Sequence, residues 1–333
     1  MSRSDCPNNN HDFLKTNKNN AIEKQIIMNK FYFILILLFA ILSCKKHELN
    51  YIIYYQKVNE IDSIQRYANN EQLALEEYKK LFKEYEPKNG EKTEEYSRYL
   101  TLSDHYDKKN INKKSLKKLI YLLAPGAKHG WHKRYYPLFT KYGIDSLQVK
   151  QEIIDWKKKL NHTLIDSFSI AIDRDQGSRR GNYSNNFVKL MDKKNIELFK
   201  WTFENYGFPS LQKIGLTGKN GRDIHMRTFF IHYIDSKDYE FLKKKSFEYV
   251  KSGDFDPYTY AAFVDRHEGV IKGKPSIYGV YTLVEENSLD TVQVNKNRKS
   301  IGLASIDHRN KIVSDFHKSN YKRRNKNAYN NDK

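Results

Sequence analysis

Four polar groups in the second half of the sequence hold the residue types that acid–base chemistry needs: Asp173-Arg174-Asp175-Gln176 with Arg179, His232 inside an aromatic run, Asp265-Arg266, and Tyr278-Gly279. A histidine beside a carboxylate can take or give a proton near neutral pH, and an arginine can clamp a carboxylate or phosphate through its planar fork. On this reading His232, Asp175 and Asp265 are the candidate catalytic residues, and Gln176, Arg179, Arg266 and Tyr278 the candidate binding residues. The same groups also have an architectural use. Asp265 with Arg179, or Arg266 with Asp175, would pair across helices while His232 donates to a backbone carbonyl in the core. Metal ligation is poorly supplied: His225 and His232 sit two helical turns apart, about 10 Å along an axis, and His129 and His132 lack a third ligand. With no phosphate loop, dinucleotide fingerprint, GxSxG elbow or HExxH in the sequence, neither a metal nor a cofactor is expected.

Helices must position these groups. Tyr78, Leu81, Phe82 and Tyr85 share one helical face, and Pro87-Lys88-Asn89-Gly90 breaks that element. A helical hairpin follows, marked first by Tyr96, Tyr99, Leu100 and Tyr106, then by Leu116, Leu119, Ile120 and Leu123, and closed by Pro125-Gly126. This region, residues 61–162, faintly resembles tetratricopeptide units but lacks their full signature and period. Further on, Asp192 is placed to cap a helix whose inner face is Ile196, Phe199, Phe203 and Tyr206, with Gly207 and Pro209 as its stop. Two more helices are predicted over 222–234 and 239–251, the latter ended by Gly253, and Asp256-Pro257 opens another. After Gly273 the β-branched and aromatic IYGVYTLV, then TVQV beyond Glu286-Asn287-Ser288, predict a short β-hairpin. The expected fold is mainly α, with helical hairpins in the N-terminal half and a compact α-rich C-terminal domain over 163–317 that carries the β-hairpin.

Taken together, DQGSR (Asp175, Gln176, Arg179), DKKN followed by GFP (Asp192, Asn195, Gly207, Pro209), mid-helix His232, DR (Asp265, Arg266), YG (Tyr278, Gly279) and NRKSIGL (Arg298, Gly302, Leu303) resemble an uncharacterised bacterial family, domain of unknown function 6624. The resemblance spans about residues 164–316. Ile231 stands where that family tends to have Gln, and Val280-Tyr281 where it has Thr-Gln. It implies no known reaction.

The start of the chain speaks to location. Twelve apolar residues from Phe31 to Leu42 are too few to span a bilayer, but with Met28, Asn29 and Lys30 before them and Ser43 after, they form the three-part pattern of a secretory signal peptide over 28–43. Residues 1–27 then read as an over-extended leader before a start at Met28. Ile41-Leu42-Ser43-Cys44 resembles the lipobox of bacterial lipoproteins, which implies a lipid on Cys44, a membrane anchor, and a tether over 44–60. Lys45 after the cysteine, by resemblance to lipoprotein sorting rules, points to the outer membrane. With Cys44 lipidated and only Cys6 besides, no disulfide or thiolate chemistry remains. Of the formal charge of +19, +17 remains once the five bases and three acids of residues 1–43 are set aside. Such a field suits an envelope polyanion or a partner protein, and the location excludes nucleic acid. Residues 318–333, KSNYKRRNKNAYNNDK, read as a disordered basic tail. Two functions follow, with a binding module of the cell envelope preferred over a metal-independent acid–base enzyme, such as a hydrolase, built on His232.

Overall fold

Polar caps set most of the helix starts in the computed structural model, which describes residues 49–90, 92–281 and 290–331, with side chains to residue 319. Asn50 accepts from the Ile52 N–H and opens α1 (Tyr51–Arg66), and Asn70 accepts from Leu73 and opens α2 (Glu71–Glu84). After α3 (Glu95–Tyr106), reciprocal capping pairs start two helices, Asn112 with Ser115 for α4 (Lys113–Leu123) and Asp145 with Gln148 for α6 (Ser146–Lys158). The short α5 (Tyr136–Lys141) lies between them. Each cap satisfies amide groups that have no partner within their own helix. Asn161 and Ser184 open α7 (His162–Arg180) and α8 (Asn185–Asn205) in the same way. The one-turn α9 (Leu211–Ile214) and α10 (Met226–His232) lead to α11 (Tyr239–Ser252), α12 (Pro257–Val270), α13 (Thr291–Ser300) and α14 (Ile306–Asn331).

Three apolar clusters hold these helices. The first joins α1, α2 and α3 through Tyr54, Val58, Leu75, Tyr78 and Leu102, and the second joins α3 to α6 through Leu100, Leu119, Phe139 and Trp156. The third and largest packs α7 to α12 around Phe199, whose ring lies 5.1 Å from Phe168, 5.4 Å from Phe229 and 5.6 Å from Phe230. It also takes Ile52 from α1, so the first described helix belongs to two clusters. Such aromatic contacts add about 0.5–1.5 kcal/mol per pair beyond burial itself.

A polar clasp fastens the first described helix to the last described one. Asp62 is fully buried and accepts from Arg66 Nε at 2.5 Å, Arg98 Nη1 at 2.7 Å and His308 Nε2 at 2.8 Å, while Arg66 also reaches Asp315 at 2.7 Å. Burial works to raise the Asp62 pKa, but the His308 and Arg66 hydrogen bonds and the Arg98 charge outweigh it and leave it below the usual 3.8. Beside the clasp, Gln56 and Asn59 donate to the Lys299 and Gly302 carbonyls. Gly302 has φ +87°, and a Cβ there would stand 2.7 Å from Tyr55 Cβ, so this seat against α1 demands glycine.

The mainly helical expectation is met, and the β-hairpin is corrected. No strand occurs among the described residues, where a single bridge joins Thr217 and Asp223. Thr291–Val294 form the first turn of α13, because the Asp290 side chain accepts from the Val292 and Gln293 N–H groups and so nucleates a helix where β-branching favoured a strand. Residues 277–281 are irregular, and 282–289 lie outside the described residues. The tether expected over 44–60 is also corrected, since Tyr51 onward is helix with Tyr51, Ile52, Tyr54 and Val58 buried. The tail expected to be disordered continues α14 to Asn331, as extension of an existing helix needs no new nucleus. Residues 28–43, expected as a signal peptide, and Cys44 lie outside the described residues, and no described helix is long and apolar enough to cross a membrane.

Candidate functional site

Asp175 belongs to the inner stripe of α7. Leu164, Phe168, Ala171 and Ile172 recur there at three- and four-residue spacing, and the next inward position is Asp175, fully buried. On α8 the stripe of Ile196, Phe199 and Phe203 is extended toward the helix start by Asn195 and Asp192. The two helices therefore bury a carboxylate each where their apolar faces end, and cations neutralise them.

Arg179 is the joint. Its Nη1 donates to Asp175 Oδ1 at 2.9 Å, one turn away on α7, and its Nη2 donates to both oxygens of Asp192 at 2.8 Å. His232, the last residue of α10, places Nδ1 2.9 Å and 3.1 Å from the two Asp175 oxygens, and Gln176 Nε2 donates to Oδ2 at 2.7 Å. Arg174 donates to Asn195, whose own amide donates to the Ala171 carbonyl and locks α8 to α7. Burial raises the Asp192 pKa and the Asp175 charge adds to this, against the opposing pull of Arg179 and His232. Burial together with Asp175 and Asp192 keeps the neighbouring Tyr233 phenol protonated far above neutral pH.

One edge of the cluster is open. The His232 side chain is 19% exposed and Asp175 not at all, and no hydrogen bond among the described residues occupies His232 Nε2. A carboxylate on Nδ1 fixes the tautomer and leaves Nε2 as the lone pair that meets a ligand.

Asp265, Arg266 and Tyr278 do not join this cluster. The fully buried Asp265 carboxylate accepts from four backbone amides of one loop: Ile277 at 2.9 Å and Tyr278 at 2.8 Å on Oδ1, Val280 at 2.8 Å and Tyr281 at 3.4 Å on Oδ2. Such an acceptor is committed to the loop. Gly279, at the turn, has φ +62°. Arg298, itself 1% exposed, donates to the Tyr278 and Ala304 carbonyls at 2.7 Å and 2.5 Å, and Arg266 lies over the Tyr281 ring at 5.1 Å. The motif residues thus sort into two knots, Asp175-Gln176-Arg179-Asp192-Asn195-His232 on one side and Asp265-Tyr278-Gly279-Arg298 on the other.

Asp192 was expected as a helix cap and is instead Arg179's partner, because Ser184 starts α8 two turns earlier. The Asp62 clasp went unread, although Asp62 and Arg66 stand at the i, i+4 spacing of a helical ion pair. His129 pairs with Asp223 at 2.8 Å, and His132 is buried. No group of three or more metal-ligating side chains occurs among the described residues. No protein-family model, no curated protein and no solved structure matches this chain.

Proposed function

We propose that this chain is a lipid-anchored cell-envelope protein, akin to the uncharacterised family it resembles, and that its working site is the open edge of His232. There the imidazole acts as a metal-independent acid and base, and hydrolysis is the reaction class it serves most simply. Nε2 takes a proton from water as the water adds to its target and returns that proton to the leaving group, while Asp175 steadies the imidazolium between the two steps. The observation that carries this reading is the 2.9 Å contact from Nδ1 to a carboxylate already clamped by Arg179 and Gln176.

Nitrogen NMR of ¹⁵N-histidine protein is expected to find neutral His232 as the Nδ1–H tautomer. Against a panel of chromogenic phosphate, carboxylate and glycoside substrates, His232→Gln is expected to lower turnover by about 10²–10⁴-fold at unchanged melting temperature. An Nε2–H tautomer, or a variant that loses stability instead of turnover, assigns the histidine to architecture. For the anchor, intact mass of membrane-extracted protein is expected to start at a diacylglyceryl-modified Cys44. A Cys44→Ala chain that binds vesicles equally well removes that part of the reading.

A second reading, a module that holds an envelope partner, is favoured by the outward face of α8. Phe187, Leu190 and Trp201 are exposed there at helical spacing, with Lys194 and Glu197 between them.

A further inference from the structure

Three cations from distant parts of the chain gather around one tyrosine. Lys92, in the loop before α3, lies 5.7 Å from the centre of the Tyr258 ring, Arg227 at the start of α10 lies 5.2 Å away, and Arg309 in the first turn of α14 lies 5.9 Å away. Arg309 also donates to the Tyr258 hydroxyl at 3.4 Å. No two of the three can be farther apart than the sum of their distances to that ring. None is within ion-pair distance of a carboxylate among the described residues, whereas Arg66, Arg98, Arg134 and Arg179 all have one.

Like charges held together repel, and the acids at the two helix starts do not pair with them: Asp256 is spent on capping α12, and Asp307, in the first turn of α14, forms no ion pair with any of the three. Behind them lies a fourth cation. Arg298 is 1% exposed, spends its donors on the Tyr278 and Ala304 carbonyls, and has no ion pair with a carboxylate. Burial and the nearby Arg309 charge push its pKa down to about 10, against the pull of Asp265. A bound anion relieves all of these repulsions at once.

We propose that Lys92, Arg227 and Arg309 around Tyr258 form a binding site for a phosphate group. The choice of phosphate rests on stoichiometry. A carboxylate offers two oxygens and one charge, while cations that approach from three separate elements match the three oxygens and higher charge of a phosphoryl group. Guanidinium forks supply directed donors and the lysine a point charge. The inference is independent of the His232 reading, as it uses no residue of that cluster. The phosphate can belong to a small soluble anion or to a lipid headgroup, and the two sources are separable.

Full-length protein is titrated calorimetrically with inorganic pyrophosphate and, separately, with phosphatidic acid vesicles, whose phosphomonoester headgroup keeps three free oxygens, using acetate at equal ionic strength as the comparison anion. Saturable binding of at least one phosphate probe, absent with acetate, is expected to weaken tenfold or more in Arg227→Gln and in Arg309→Gln. Charge-matched controls at exposed lysines, Lys150→Gln, Lys157→Gln and Lys244→Gln made one at a time, are expected to leave it unchanged. Arg309→Lys, which keeps the charge and loses the fork, is expected to fall between, and melting temperatures read alongside verify folding. Pyrophosphate binding with this pattern assigns a soluble ligand, and vesicle binding alone with this pattern assigns a headgroup. Equal weakening in the control set, equal binding of acetate, or no saturable binding of either phosphate probe overturns the site.

Discussion

Asp265→Ala is expected to destabilise the protein by about 4 kcal/mol, because breaking a buried charged acceptor leaves its donors without partners. Four amides of residues 277–281 converge on that carboxylate, and alanine offers them nothing. The loop also presents the Tyr278 carbonyl to the buried Arg298, so its displacement costs that guanidinium a partner as well. For a unit of this size the loss corresponds to a fall in melting temperature on the order of 10 °C. Asp265→Asn, which keeps one oxygen and turns the other into a donor, is expected to lose about half as much. Calorimetry checks the magnitude, and hydrogen exchange checks the place, since amides 277–281 should exchange first. A fall of only a degree or two would mean that water serves the loop as well as the carboxylate does. The contrast with His232→Gln is informative: one site is expected to move stability, the other turnover.

Asp62→Ala is expected to cost a comparable amount, roughly 3–5 kcal/mol, because it strands Arg66, Arg98 and His308 around an empty centre. Here pH supplies a second check. The folded pKa of Asp62 is depressed below 3.8, so its contribution is fully present above that value and is lost as pH falls through the folded pKa. Urea denaturation at descending pH should therefore show the gap between the natural chain and Asp62→Asn hold steady down to about pH 4 and narrow below it. A gap that stays unchanged below pH 4 would show that the clasp does not depend on the Asp62 charge.

Legibility followed periodicity. The α8 stripe could be read because its apolar residues repeat every three or four positions, whereas α7, whose Leu164, Phe168, Ala171 and Ile172 share that spacing, stood out only through the DQGSR motif at its end. That His232 meets Asp175 could be named as chemistry but not located, since 57 residues separate them and only packing fixes the distance. Asp265 was misgrouped for the same reason: a DR dipeptide at a helix end looks alike whether its acid faces a histidine or a loop. At Thr291 the strand propensity of β-branched residues lost to a local cap. The α1 helix was present in the pattern of Tyr51, Tyr54, Val58 and Ile61, with Asn50 before it. Nearness to Cys44 hid it.

Gln56 and Asn59 hold carbonyls 243 residues downstream, and Asp62 meets His308 at a separation of 246. A polypeptide made by the ribosome from its amino end cannot bury the polar side of its first described helix until nearly the whole sequence has emerged. Contacts of such range form late. A nonsense codon anywhere upstream of α13 would thus leave Asp62 without His308 and Arg66 without Asp315, and the polar face of α1 uncovered while its apolar face still packs on α2 and α3.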